Sequence, residues 1–213
     1  MPNVHSVTPI ILAAGDSLRM GYPKALLPLG NDIFLTHILR VLKNVGLPKP
    51  VIILGKTASM IQAQLGDWTA DVRINPDPGR GQLSSIQMGL SHLDPESPAG
   101  MIWPVDQPAV SEDLIRRLIQ IFIDSESKIA LPRYGSRRGH PSIFHRSIFH
   151  EFMDAPPAEG PKKILLRHQD STIELLTDES AVIQDIDTPE DYEALTGESL
   201  TEALARMKSP INP

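Results

Sequence analysis

The chain contains no cysteine, which excludes a disulfide framework and any thiolate metal site, and which is compatible with a reducing cytoplasm. It also lacks a surplus of positive charge. Its 20 Lys and Arg face 26 Asp and Glu, giving a net charge of -6 and a pI near 5.6. Broad binding to nucleic acid or to an anionic membrane needs excess cations to displace counterions, so neither is expected, and the basic residues must act locally. No stretch approaches the roughly 18 apolar residues needed to span a bilayer. Met1 to Val7 is too short and polar for a signal peptide, so a soluble, cytoplasmic protein is expected. Internal repeats and low-complexity tracts are lacking as well.

Two common phosphate-binding loops are missing too. A Walker A loop places four residues between its glycines and follows them with Lys and Ser or Thr. Here five residues separate Gly15 from Gly21, and the lysine follows Pro23. A dinucleotide fingerprint needs three glycines opening a helix directly after a strand. Gly79 and Gly81 instead follow a proline-rich loop.

What is present is a chain of 213 residues, 41% hydrophobic, and a chain of this size buries roughly 70% of its unfolded surface. One domain over residues 1–213 is expected, with a core at about 8–196 and a C-terminal helix or tail at 197–213, frayed from Met207. Phe34, Ile38, Val41, Leu42 and Val45 fall at helical spacing between Asp32 and the Gly46/Pro48 stop. Short apolar runs at Val51 to Leu54, Val72 to Ile74 and Met101 to Val105 read as strands. They alternate with helical patterns around Met60 to Leu65 and from Ser84 to Leu93. Ser111 caps a further helix, buried through Leu114, Leu118, Ile121 and Phe122 and ending near Ser125. Such alternation predicts an α/β fold with a mostly parallel central sheet.

Ile129 to Leu131 and Ser142 to Phe144 read as strands around a polar GSRRG turn, so an antiparallel or mixed edge is expected there. Phe149, Phe152 and Met153 suggest a short helix, and APPAEGP a loop. A helical turn at Ile164 to Leu166 and strands at Ile173 to Leu176 and Val182 to Ile186 follow. Thr188 then caps a helix that opens with Pro189. His140, His145 and His150 recur every five residues, which puts them on no common helix face and argues against zinc.

The stretch from Ile10 to Gly30, IILAAGDSLRMGYPKALLPLG, organises the rest. An apolar β-prone run gives way to Ala14 and Gly15, small residues that let another group approach the backbone. A bare loop then carries Arg19, a delocalised fork, and Lys24, a point charge. Free amides with two cations suit a polyphosphate. Asp16 in the same loop would repel phosphates and is expected to point away. Further along, WPVDQPAV sets Asp106 just past a buried strand, at the carboxyl end where open α/β sheets bind ligands. One carboxylate there suits Mg2+, which keeps most of its waters and bridges to substrate phosphates.

The segment Leu12 to Gly30 resembles the signature loop of molybdenum cofactor nucleotidyltransferases, close to LAAG, x, S, x, RMG, x, PK, x, LLP. Leu12, Ala13, Ala14, Gly15, Ser17, Arg19, Met20, Gly21, Pro23, Lys24, Leu26, Leu27 and Pro28 all match. The resemblance extends in order to Leu195. It implies a three-layer α/β/α Rossmann-like fold of the nucleotide-diphospho-sugar transferase type.

It further implies that Leu12, Ala13, Ala14, Gly15, Arg19, Lys24, Gly81, Ser84 and Ser85 bind a nucleoside triphosphate. Asp106 and Asp187, the latter in DIDTPEDYEAL, would hold Mg2+, with Arg19, Lys24 and Asp106 catalytic. His140, in GHPSIF, would line the acceptor side. The implied acceptor is molybdopterin bearing a terminal phosphate, with a molybdenum enzyme as the eventual partner. Guanylyl relatives usually carry two glycines where this chain has Ala14 and Gly15, so CTP is the expected nucleotide. EGPKKILLRH departs from the family, placing Pro161, Lys162 and Lys163 where relatives often have an acidic residue and an arginine. The alternatives are a GTP-using guanylyltransferase, a transferase acting on a sugar or alcohol phosphate, and a non-catalytic carrier of the cofactor.

Overall fold

The structure, a computed structural model, describes residues 6–156 and 159–208. The chain runs β1 (Val7–Ala13), β2 (Pro28–Leu29), β3 (Asp32–Ile33), α1 (Phe34–Val45), β4 (Val51–Leu54), α2 (Ala58–Gln62), β5 (Asp71–Ile74), α3 (Gln82–Ser91) and β6 (Ala99–Pro104). It continues with α4 (Glu112–Ile123), β7 (Ile129–Tyr134), β8 (Arg137–Arg138), β9 (Ser142–His145), α5 (Phe149–Asp154), α6 (Lys162–Arg167), β10 (Thr172–Leu176), α7 (Pro189–Thr196) and α8 (Leu200–Lys208).

The main sheet has the order β10-β7-β9-β6-β1-β4-β5, with β8 added to β7. Strands β6, β1, β4 and β5 are mutually parallel, and β7 and β10 form a second parallel pair. The reversed strand β9 lies between β6 and β7. The antiparallel element thus falls where the GSRRG turn pointed, although Arg137 and Arg138 of that turn pair with β7 rather than looping free.

Alternation along β1 divides the core between the two faces of the sheet, as strand geometry requires. Val7, Ile11 and Ala13 join the cluster built with α1 and α4, whereas Ile10, Leu12 and Ala14 join the one built with α3 and α5. This is the expected three-layer arrangement. Ser111 accepts from the Leu114 amide at 3.1 Å and Thr188 from that of Asp191 at 3.2 Å, so both predicted caps hold. α1 instead starts on Ile33 and Thr36, because Asp32 sits in a small β2–β3 hairpin and pairs with Arg40 at 2.9 Å.

One expected strand does not form. Val182 and Ile186 are both buried, yet Ser180–Ile183 is a 3-10 turn. The Val182 amide donates back to Glu179 and the Ile186 amide to the Asp106 carbonyl at 2.9 Å. The apolar run therefore closes the end of the sheet instead of extending it. Met207 and Lys208 lie within α8. Residues 209–213 of the expected tail, 157–158 of the APPAEGP loop and the first five residues lie outside the described residues.

Candidate active site

β1 pairs with β4 and β6 on either side and stops at Ala13, so its outgoing loop opens between the carboxyl ends of three parallel strands. The loop is shaped by Ser17, the one non-glycine with positive φ (51°) among the described residues. Its carbonyl accepts from Gly21 at 3.0 Å and its hydroxyl from the Lys24 amide at 3.1 Å. A residue held in this region strains the backbone, and such strain gathers at functional loops. Gly55, just past β4, is required for a different reason: a Cβ there would strike the Ala14 carbonyl. Neither constraint shows in the periodicity of the sequence.

The loop forms one wall of a cleft of 390 Å3. Of the residues expected in the site, Leu12, Ala13, Gly15, Arg19, Lys24, Asp106 and Asp187 line it. Asp16 lines it as well instead of turning away, and Lys56 at 2.7 Å meets its charge. At the floor, the Lys24 ammonium stands between two carboxylates. It donates to Asp106 Oδ2 at 2.9 Å and, through a shorter contact, to Asp187 Oδ1. Arg19 reaches Asp187 Oδ2 from the solvent side at 2.7 Å. Lys24 is only 12% exposed at its side chain and Arg19 is 69% exposed. Burial disfavours the Lys24 charge, but Asp106 and Asp187 outweigh it and hold its pKa above the ordinary lysine value. The Lys24 hydrogen bond, with the charge of Arg19 behind it, holds Asp187 below the ordinary carboxylate range.

The two carboxylates come from opposite ends of the chain. The Val105 amide donates to the Leu12 carbonyl at 3.0 Å, which carries β6 register on to Asp106. Asp187 is set by the head of α7, where Asp191 Oδ2 accepts from the amides of Asp187 and Thr188 at 3.0 and 2.8 Å. Asp185 and Asp187 also stand just before the helix, where a carboxylate could serve as its cap. Asp191 takes that role, which leaves the Asp187 side chain facing the cleft.

The other expected residues are placed differently. Ala14 is buried beneath the loop. Ser84 and Ser85 are buried at the start of α3, where Asn75 donates to both hydroxyls at 2.9 and 3.0 Å and Ser84 donates to the Gly81 carbonyl at 2.8 Å. None of the three lines the cleft of Lys24, and neither does Gly81. Asn75, the unnoticed partner, lies in the NPDPGRG turn, a string of loop formers that drew no attention to one amide. His140 is outside the cleft lining too, but within electrostatic reach of Asp106 and Asp185. Its amide donates to the Val182 carbonyl at 2.8 Å, and Gly139 before it is obligatory because a Cβ would strike that same carbonyl.

Burial lowers the pKa of His140 against the pull of the two carboxylates, and burial together with Arg40 lowers that of His37. The unfolded chain takes up these protons near the ordinary histidine pKa of about 6.5, whereas the folded chain resists them. Stability is therefore complete above that pH and falls as the solution is acidified below it. The depressed carboxyl of Asp187 acts at lower pH, adding stability that is lost as pH falls through its own folded value. We expect the thermal midpoint to be flat above neutrality and to decline on acidification below it. Replacing His37 and His140 with Gln should flatten the decline between about pH 6.5 and 5. A double variant as acid-sensitive as the parent would refute this assignment.

The residues present fit a divalent cation. Two carboxylates converge on a point that already accepts a positive charge, the Lys24 ammonium. Among the described residues no group of three or more His, Cys, Asp or Glu could hold a metal ion, so a cation held here would have these two carboxylates as its protein ligands and would take the rest from water and phosphate. Among the described residues no helix is long and apolar enough to cross a membrane.

The chain is similar to known proteins in sequence and in fold. The family described as MobA-like NTP transferase domain matches residues 9–172. A probable molybdenum cofactor guanylyltransferase of Rhodopirellula baltica is 35% identical over 124 residues, which span 57% of this chain and 58% of the relative's length. A protein of the same name from Mycobacterium marinum is 26% identical over 196 residues, 89% of this chain and 92% of its own. The crystal structure of Rv0371c from Mycobacterium tuberculosis H37Rv superposes with a TM-score of 0.81 at 30% identity, covering 90% of this chain and 97% of that one. Rv0371c has also been crystallised in complex with manganese, at a TM-score of 0.76. With that family matching residues 9–172 and the fold shared with these structures, the chain belongs to the MobA-like NTP transferase domain family.

Proposed function

We propose that this protein is a metal-dependent nucleotidyltransferase that moves a nucleoside monophosphate from a nucleoside triphosphate to the terminal phosphate of a molybdopterin-type acceptor. The observation that carries the reading is the placement of Lys24 Nζ between Asp106 and Asp187 at the floor of the cleft. In the reaction, an acceptor phosphate oxygen bonds to the α-phosphorus, the bond from that phosphorus to the bridging oxygen breaks, and pyrophosphate leaves with the electron pair. A phosphate monoester, with its second pKa near 6, is already largely ionised at neutral pH. The attack thus needs no covalent nucleophile from the protein and no strong base.

Positioning and charge neutralisation then supply the acceleration, as in phosphoryl transfer generally. Lys24, deep in the cleft, is placed to neutralise charge growing at the α-phosphate, and Arg19, at the mouth, to hold the β- and γ-phosphates. Asp106 and Asp187 would hold the divalent cation, Mg2+ in this reading, and it would supply Lewis-acid charge neutralisation when bound. The manganese in the Rv0371c crystals supports a divalent ion in a related fold.

Two observations bear on the base. The relatives carry guanylyltransferase names, which favours GTP. Ala14 and Gly15, where the family resemblance puts two glycines in guanylyl relatives, favour CTP. Measuring pyrophosphate release with GTP and with CTP, each against molybdopterin and against sugar phosphates, decides between them. Turnover with molybdopterin and one of the two nucleotides is expected. Turnover with a sugar phosphate alone would overturn the acceptor, and cofactor delivery without pyrophosphate would favour a carrier.

A further inference from the structure

We infer that Gln107 is a positioning residue that sets the separation of Asp106 and Asp187, an inference that rests on the metal-dependent reading of the cleft. These aspartates lie on segments with no strand pairing between them, since the chain from Ser180 to Ile183 turns away from the ladder. Two contacts nevertheless tie the segments together. The Ile186 amide donates to the Asp106 carbonyl at 2.9 Å, and Gln107 Nε2 donates to Asp185 Oδ1 at 2.7 Å. The first joins the neighbour of Asp187 to Asp106, and the second joins the neighbour of Asp106 to a residue two positions before Asp187. Together they act as a clamp across the metal-binding pair.

Gln107 is built for this task. It is 4% exposed, whereas Asp185 is exposed, so a side chain rooted in the core reaches outward to hold a surface carboxylate. Its backbone is pinned on both sides: Trp103 Nε1 donates to its carbonyl at 2.9 Å, and its amide donates to the Pro104 carbonyl at 3.2 Å. The orientation of the amide is not arbitrary, because only the NH2 end can bond a carboxylate. The other end, Oε1, is buried and has no hydrogen-bond partner among the described residues. An unmet buried acceptor is costly, and a side chain that keeps one needs a compensating role. A leucine or methionine would fill the space without that cost, so the compensation lies in the bond to Asp185. Gln107 touches no reacting group, and it acts through the place it gives Asp187.

Four variants test the clamp. Gln107→Met keeps the volume and removes the amide, and Asp185→Ala cuts the same bond from the solvent side without disturbing the core. Gln107→Glu sets two carboxylates against each other, and Gln107→Glu/Asp185→Asn exchanges donor and acceptor at unchanged total charge. Hydrogen–deuterium exchange on the ligand-free protein reads the Ile186 amide directly. Manganese binding, followed by electron paramagnetic resonance with a non-hydrolysable nucleoside triphosphate present, reads the carboxylate pair.

A misplacement of about 1 Å in a reacting constellation costs roughly 100-fold in rate. On that scale we expect the three single variants to lose about 10-fold or more in kcat and in manganese affinity, with the nucleotide KM little changed and Ile186 exchanging faster. The exchanged pair should recover most of both losses. Wild-type exchange and kcat in Asp185→Ala or Gln107→Met would overturn the inference, as would an exchanged pair that folds normally and recovers nothing. A parent protein that binds neither manganese nor nucleotide would instead overturn the proposed function, while the exchange of Ile186 would still decide whether the clamp exists.

Discussion

Replacing Lys24 with methionine is expected to lower turnover by about 1000-fold or more while tightening the binding of Mn2+ to the nucleotide-free protein. The first effect follows from removing a preorganised donor aimed at developing phosphate charge, a loss typically worth 100- to 1000-fold (about 2.7–4 kcal/mol), with the lost binding contact added to it. The second follows from where the ammonium rests. Between Asp106 and Asp187 it holds the place that a cation would take, so a metal arriving alone must displace a paired lysine. In the proposed reaction a triphosphate would give Lys24 and Arg19 better partners in its phosphates, and Asp106 and Asp187 would then be free to hold the metal. Metal and nucleotide should therefore bind synergistically in the parent protein, each raising the affinity for the other by one and the same factor.

Methionine removes the competitor, leaving two facing carboxylates with no lysine between them, a pairing that raises one pKa and favours any added cation. We expect the variant to bind Mn2+ alone about 10-fold more tightly, to lose the synergy, and to gain more thermal stability from Mn2+ than the parent does. Calorimetric titration of Mn2+ with and without a non-hydrolysable triphosphate measures all three. A variant that binds Mn2+ alone no better than the parent would show that the ammonium is not the competitor.

Asp106→Asn and Asp187→Asn should each abolish most of the turnover, and the double variant should be little worse than either one. Asparagine keeps the shape of each side chain and removes its charge, so the fold is undisturbed and the loss falls on the cation site. Residues that hold one ion act as a unit, and losses within such a unit do not add. Each single change should cost about 1000-fold in kcat/KM, the scale of a lost electrostatic stabiliser. The two variants differ in one respect. Asp187→Asn also frees Arg19, whereas Asp106→Asn leaves the Arg19–Asp187 pair intact. The KM for nucleotide should therefore change more in Asp187→Asn. Steady-state kinetics with the nucleotide the parent uses separate these outcomes, and activity above about a tenth of the parent in Asp106→Asn would exclude a shared cation site. Undiminished cofactor delivery by that variant would favour a carrier.

Much of the fold was legible in advance because its signals are local. The apolar run of β1, the spacing of α1 and the caps at Ser111 and Thr188 are each set by residues within a turn or two of one another, and the structure reproduces them. Val182 to Ile186 shows the limit. Its apolar residues are buried as a strand's would be, but burial does not reveal whether the amides meet a ladder, a turn or the end of β6. Ser84 and Ser85 show another. The resemblance implies nucleotide contact there, and the tie of both hydroxyls to Asn75 depends on how the NPDPGRG turn folds back. Gly55 and Gly139 carried no visible sign, since the carbonyls that crowd them belong to Ala14 and Val182.

By itself the sequence determined the class of fold, because the period of its apolar residues and its capping signals are written within short windows, and its resemblance to a known signature loop and closing motifs singled out Arg19, Lys24, Asp106 and Asp187 as the expected site. Only the tertiary structure decided that these four meet at one point, with Lys24 set between carboxylates 82 and 163 residues away. That meeting depends on the register of β1 with β6 and on the contacts that carry Ile186 back to Asp106. Such pairings are chosen by the burial of whole elements, and no local pattern specifies them.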